Sequence, residues 1–283
     1  MEATFPIVRH PGPGRRTPVL VSVPHYGTES LPHITRDDYT EPWFETFAYG
    51  FADTFAREVY ADLHEHGATV LATPFSRVFV DVNRRRDDFE HHDGEVRSRR
   101  GVVRTHTMRE APIFVRPLRV DELEARLQAL YDPYYATLGE LLAGIRRTYG
   151  HALLLDGHTG SPRRMGDHQV IVGTRRDATC ADALASAVAA IFRRHGFEVD
   201  RDVSGYTGGN IVATYGRPAS RVHALQLEIN AALLMTTSRD EFIAHVSRGG
   251  IPDRAEENIA RVRRCLAEVL TELPPVLASV CAS

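Results

Sequence analysis

The chain has 283 residues, 43% of them hydrophobic and 25% charged, with a formal net charge of −3. That apolar content can bury a core, which excludes a disordered or fibrous chain, and the slight negative charge argues against a dedicated nucleic-acid binder. All 34 basic residues are Arg, so Lys Schiff-base chemistry and a Walker-type phosphate loop are excluded.

At the N-terminus Glu2, Arg9, Arg15 and Arg16 break up any apolar core, so no secretory signal is expected. No apolar run approaches the roughly 18 residues of a membrane helix. Pro18 to Val23 is a short β-branched run that reads as a buried strand. From Phe44 to His66, apolar residues recur about every four positions (Phe47, Phe51, Phe55, Val59, Leu63), which predicts a helix stopped by Gly67. Ala68–Ala72 and Val78–Val82 read as strands.

Between Arg84 and Arg119 apolar residues are few and arginines many, which predicts a long loop or flap, solvated or closing over a pocket. Asp121 to Tyr149 carries helical periodicity, with Pro133 expected to kink or break it. Strands follow at Ala152–Leu155, Val170–Val172 and Val222–Ile229, and helices at Ala181–His195 and Arg254–Leu273. Cys180, Cys265 and Cys281 are far apart with no CxxC, so reduced cytoplasmic thiols are expected. Alternating strands and helices predict one α/β domain over 1–283, its mixed, mostly parallel central sheet covered by helices on both faces.

Ligands in such sheets bind at the carboxyl ends of strands. The first strand runs into Pro24-His25, the strand at 78–82 into Asn83-Arg84, the strand at 152–155 into Asp156-Gly157-His158, and the strand at 222–229 holds Gln226 and Glu228. Two His and a carboxylate make a catalytic zinc ligand set, a further Glu can act as general base, and an Arg can grip a substrate carboxylate. Each residue also has a plain structural alternative. His25 and His158 could cap or pack, Asp156 could cap a loop or orient a ligand His, and Asn83-Arg84 could be a surface turn. Glu228 inside an apolar strand is hardest to explain so, because an unpaired buried carboxylate is costly.

The set Val23-Pro24-His25-Tyr26-Gly27, Ser76-Arg77-Val78, Asp81-Val82-Asn83-Arg84, Tyr131-Asp132-Pro133-Tyr134-Tyr135, Asp156-Gly157-His158-Thr159, Gly208-Gly209-Asn210-Ile211, Tyr215-Gly216-Arg217-Pro218 and Gln226-Leu227-Glu228-Ile229-Asn230 resembles the N-formylglutamate amidohydrolase family. That family is similar in fold to zinc carboxypeptidases and aspartoacylases. The resemblance implies one zinc, or another divalent ion, held by His25 and His158. It also implies Glu228 as base, and Asn83 and Arg84 as anchors of an N-acyl acidic amino acid such as N-formylglutamate. The carboxypeptidase-type acid three residues after the first His is here Thr28. The resemblance points to Asp53 as third ligand, at the start of the following helix and opposite its Phe51 and Phe55 stripe, with Glu29 as competitor. Tyr206, Gly209 and Asn210 are expected to line the substrate pocket. Tyr206-Thr207 departs from the usual residues before the glycine pair, so another N-acyl substrate stays open. So do an arginase-type dinuclear site, a non-catalytic anion-binding protein, and a second metal at His91-His92-Asp93.

Overall fold

The computed structural model describes residues 5–41, 44, 52–248 and 250–282. Among these residues nine strands form: β1 Ile7–Arg9, β2 Val19–Val23, β3 Thr69–Ala72, β4 His91–His92, β5 Glu95–Val96, β6 Ala152–Gly160, β7 Val170–Gly173, β8 Val199–Arg201 and β9 Val222–Asn230. Seven build one sheet in the order β1-β3-β2-β6-β9-β7-β8. Four of its six pairings are parallel; β1 on β3 and β7 on β9 are antiparallel. The expected α/β architecture is therefore found.

Alternation along the strands divides the core. Val19, Val21, Val23, Leu153, Leu155, Leu225 and Leu227 pack with the helices Ala56–Tyr60, Asp182–Arg194 and Glu256–Ala282. Leu20, Leu154 and Ala224 pack on the other face, under the helices Val120–Arg126, Asp132–Tyr149 and Asn210–Tyr215. By length and composition Glu256–Ala282 is apolar enough to cross a membrane, although the sequence holds no unbroken apolar run. Its stripe of Ile259, Val262, Leu266, Val269, Leu273 and Leu277 is buried in the first core.

Several expectations need correction. Val78–Val82 is not a strand. Its apolar residues are buried, but its backbone bonds to loops: Asp81 N–H donates to Val102 O at 2.7 Å and Arg104 N–H to Val78 O at 3.0 Å. The helix expected over 44–66 is described only as Ala56–Tyr60 and a 3₁₀ turn Leu63–His66; residues 45–51, with Phe47 and Phe51, lie outside the described residues. Phe55 is left-handed at φ 59°, so Asp53 sits in the turn before that helix. Pro133 does not break the helical stretch from Val120 to Tyr149. A π-helical segment, Leu127–Tyr131, precedes it and places it in the first turn of Asp132–Tyr149, where its missing N–H costs least.

The stretch 84–119 is neither extended nor simply solvated. It contains the β4–β5 hairpin and buries Val96, Val102, Val103, Ile113 and Leu118. Sequence periodicity also missed the short strands Ile7–Arg9 and Val199–Arg201, which carry too few residues to show a period.

β6 and β9 are in parallel register over nine residues, from Ala152↔Val222 to Gly160↔Asn230. Both are wholly buried. Near their carboxyl ends the positions that continue the Leu154 and Ala224 face change from apolar to polar: Asp156 and His158 stand opposite Gln226 and Glu228. Gly157 separates the first two, and the opposite face needs its missing side chain. A Cβ there would lie 2.6 Å from Tyr60 Cε1, and Tyr60 also donates its hydroxyl to His158 O at 3.1 Å. Gly157→Ala is expected to destabilise the fold by about 1–3 kcal/mol through overpacking, measured as a lower denaturation midpoint at unchanged slope.

Candidate metal centre

A cavity of about 620 Å³ opens at these strand ends. Three side chains converge in its wall: His25, two residues after β2; Asp53, in the turn before the helix at Ala56; and His158, on β6. One ligand atom from each lies within 4.8 Å of the others. His25 Nδ1 and His158 Nδ1 are 3.1 Å apart, Asp53 Oδ1 is 3.3 Å from the first and Asp53 Oδ2 is 2.8 Å from the second. Two resident N–H groups fix Asp53: its own backbone N–H donates to His25 O at 3.3 Å, and Thr159 N–H donates to Asp53 Oδ2 at 3.2 Å.

The outer ring nitrogens face carboxylates. His25 Nε2 meets Asp81 Oδ1 at 2.8 Å and His158 Nε2 meets Asp156 Oδ2 at 3.1 Å. Arg77 Nη1 lies 3.1 Å from His25 Nδ1. A guanidinium can only donate, so His25 Nδ1 accepts and its Nε2–H is given to Asp81. Carboxylates behind both rings, with the two Nδ1 atoms and Asp53 converging on the cavity, match the donor set a divalent cation requires.

The electrostatics agree. Burial alone would raise the Asp53 carboxyl, but His25 and His158 outweigh it and hold it well below the usual carboxylate range. Burial opposes a charge on His158, yet Asp156, Glu228 and Asp53 outweigh that and raise its pKa well above the ordinary imidazole value. Carboxylates and imidazoles thus stabilise one another's charged forms within the cluster.

Glu228 faces the same cavity from β9, with 6% of its surface exposed. Gln226 Nε2 donates to its Oε1 at 2.5 Å. Burial pushes the carboxyl up to about 7, with His158 pulling the other way. Glu29, the competitor for the third ligand position, is exposed and engages Phe75 through its backbone.

Of the expected substrate residues, Arg84, Tyr206, Gly209 and Asn210 all border the cavity. Arg84 Nε lies 3.8 Å from Asp81 Oδ2, the carboxylate that His25 meets. Asn83 also borders the cavity, but its amide is already committed. Nδ2 reaches Asp156 Oδ2 at 3.0 Å and His158 Nε2 at 2.9 Å, and Oδ1 accepts from Ile211 N–H at 3.0 Å. Gly209 must be small because a Cβ would come within 2.5 Å of that amide. Asn210 points backward, donating to Tyr135 OH at 2.6 Å and Arg84 O at 3.1 Å.

The tyrosine-rich segment supports the site from behind. Tyr131 OH donates to Arg84 O at 2.8 Å and Tyr135 OH to Val82 O at 2.9 Å, so the two hold the turn that carries Asn83 and Arg84. Tyr134 OH bonds Ser22 Oγ at 3.0 Å, and Ser22 Oγ donates to Asp156 Oδ1 at 3.1 Å. Asp132 pairs with Arg86 at 2.8 Å. Thr159 donates its hydroxyl to Thr54 O at 2.6 Å, a bond that serine could also make.

Sequence reasoning assigned no role to Arg77, Asp81, Arg164 or Arg175. Arg77 and Asp81 lay inside quoted motifs, but their bond to each other and to His25 is a property of the turn. His91 and His92 are exposed on the β4–β5 hairpin, where His92 pairs with Asp93 at 3.0 Å. Among the described residues, the only His–carboxylate cluster of metal-binding geometry is His25, Asp53 and His158.

Comparison with known proteins gives a consistent picture. The chain is 29% identical over 266 residues to an N-formylglutamate deformylase of Pseudomonas aeruginosa, covering 90% of this chain and 93% of that one. It is 28% identical over 237 residues to an N-formylglutamate deformylase of Pseudomonas putida, covering 78% and 82%. The crystal structure of N-formylglutamate amidohydrolase from Ralstonia eutropha JMP134 superposes with a TM-score of 0.77 at 25% identity, covering 96% of this chain and 97% of that one. A protein of Agrobacterium tumefaciens, 18% identical with a TM-score of 0.62 over 95% and 92%, shares the fold. The sequence model of N-formylglutamate amidohydrolase matches residues 17–235, and the chain belongs to that family.

Proposed function

We propose that the chain hydrolyses the formamide of N-formyl-L-glutamate to formate and glutamate, with a divalent ion, zinc, held by His25, Asp53 and His158. The observation that carries this reading is the convergence of three ligand atoms within 4.8 Å beside a buried Glu228, in a cavity also lined by Arg77, Arg84, Arg104, Arg164 and Arg175. The names of the Pseudomonas and Ralstonia relatives support it. Bound there, zinc supplies Lewis acidity, making water acidic enough to ionise near neutral pH and drawing electron density from the amide carbonyl.

The chain's own residues do the rest. Glu228 takes a proton from the attacking water and passes it to the nitrogen as the C–N bond breaks. Its raised pKa, about 7, suits both steps near neutral pH. Arg77, whose Nη1 reaches the cavity face of His25, donates to the carbonyl oxygen as charge grows on it. Arg84 pairs with a substrate carboxylate. Asn83 acts by holding His158 and Asp156 in place. Gly209 and Tyr206 form the wall opposite.

The direct test is formate release from N-formyl-L-glutamate. Turnover is expected, together with its loss on chelation and its return with one equivalent of zinc per chain. No formate from any N-formyl amino acid, with the metal-loaded protein, would overturn the reading.

A further inference from the structure

The cavity holds a cation that the chemistry at the metal centre does not use. Arg175, Arg176 and Asp177 are consecutive and all left-handed, with φ of 52°, 57° and 64°. L-residues avoid this region because Cβ crowds the neighbouring carbonyl, and such strain persists only where the surroundings over-determine it. Here they do. Thr174 donates its hydroxyl to Asp202 Oδ2 at 2.8 Å, Asp177 N–H donates to Thr174 Oγ1 at 3.0 Å, and Arg201 Nη2 donates to Asp177 Oδ1 at 2.5 Å. Arg175 N–H closes the turn on Thr207 O at 2.6 Å.

The result is a fixed turn after β7 that lays Arg175 on the cavity wall. Its Nη1 donates to Gly208 O at 3.3 Å, which leaves the other guanidinium N–H groups available. Gly208 keeps the path open, since a Cβ there would lie 3.0 Å from Arg175 Cγ. The neighbouring Gly209 backs onto Asn83, beside Arg84. Among the described residues Arg77, Arg85, Arg86 and Arg201 each pair with a carboxylate, and Arg175 pairs with none. Arg164 also lines the cavity, but on the four-residue helix Pro162–Met165 with no comparable brace.

Building on the reading under Proposed function, we propose that Arg175 receives the distal carboxylate of an N-formyl dicarboxylic amino acid. Arg84 takes the α-carboxylate, because that group is attached to the carbon bearing the scissile amide, and Arg84 stands with Arg77 beside Asp81, the carboxylate behind His25. The distal carboxylate lies two methylenes further out, toward the mouth of the cavity, where Arg175 is exposed.

The test compares N-formyl-L-glutamate with N-formyl-L-glutamine, which has nearly the same shape and a neutral end. Arg175→Asn removes the cation while keeping a residue that tolerates the left-handed backbone. Its KM for N-formylglutamate is expected to rise roughly 10–100-fold with kcat within about twofold. N-formylglutamine hydrolysis should fall far less, so the preference between the two collapses. Arg175→Lys should recover part of it, as a charge without the fork. A merely structural role would lower both substrates together. An unchanged preference in Arg175→Asn, or a collapse seen instead in Arg164→Met, overturns the assignment while formate release by the parent protein leaves the general function standing. If the parent protein releases formate from neither compound, the function and this assignment fall together.

Discussion

Glu228→Gln is expected to fold, retain its ion and lose about 10²–10⁴-fold in kcat. The substitution is close to isosteric. Gln226 Nε2 now donates at 2.5 Å to Oε1 of the carboxylate, and an amide oxygen in the same place still accepts. Burial works against charge at this site, as the carboxyl pushed up to about 7 indicates, and a neutral amide has no charge to desolvate. The melting temperature should therefore stay level or rise while activity disappears. Formate release gives kcat, elemental analysis gives the metal, and a thermal scan gives stability. A kcat within about tenfold of the parent, with metal and fold intact, would mean that the proton acceptor is another group. An anion-binding protein without catalysis would show no change of any kind.

The sheet-bound half of the site was legible in the sequence and the loop-bound half was not. β2, β6 and β9 announce themselves as apolar runs, and the polar residues that end or interrupt them (His25, Asp156, His158, Glu228) are conspicuous because burying them is costly. The strand-end rule then places them together, and the parallel register of β6 on β9 sets His158 beside Glu228. Asp53 is different. It meets His158 at 2.8 Å across 105 positions of chain, and no local periodicity encodes that distance. Only family resemblance pointed to it, and the helix on which it was placed begins after it.

Val78–Val82 misled for a physical reason. A turn whose residues are buried against loops needs as many apolar side chains as a strand does, and only the hydrogen bonds to Val102 and from Arg104 distinguish the two. That turn is also what joins Arg77 to Asp81, and so sets the tautomer of His25. Arg175 was invisible for the same reason. Among 34 arginines, a residue's type says nothing about which one the backbone has been strained to present.

His158→Ala and His25→Ala are each expected to abolish stable metal binding, with a larger effect than the roughly 10–100-fold that follows loss of a partner behind a ligand. The neighbourhood explains the size of the loss. His158 links Asp53 on one side to the bonded pair Asn83 and Asp156 on the other. Its removal takes one ligand directly and leaves Asp53 and Asp156 buried with their negative charges closer to unbalanced. Asp156→Asn is the graded control. It keeps all three ligand atoms but weakens the acceptor that fixes Nδ1 of His158 as the metal-facing nitrogen, so it should weaken zinc by about 10–100-fold without abolishing it. Competition of each variant against a chelator of known affinity orders them: parent, then Asp156→Asn, then the two His variants. Zinc held at full stoichiometry and unchanged affinity by His158→Ala would remove the ion from this cluster. Loss in His158→Ala alone, with His25→Ala unaffected, would leave Asp53 and His158 as a two-ligand site and give the third position to a residue other than His25. Loss in both His variants, with an intermediate Asp156→Asn, ties the ion to the Nδ1 faces of both rings and makes the buried Asp156 behind His158 part of its affinity.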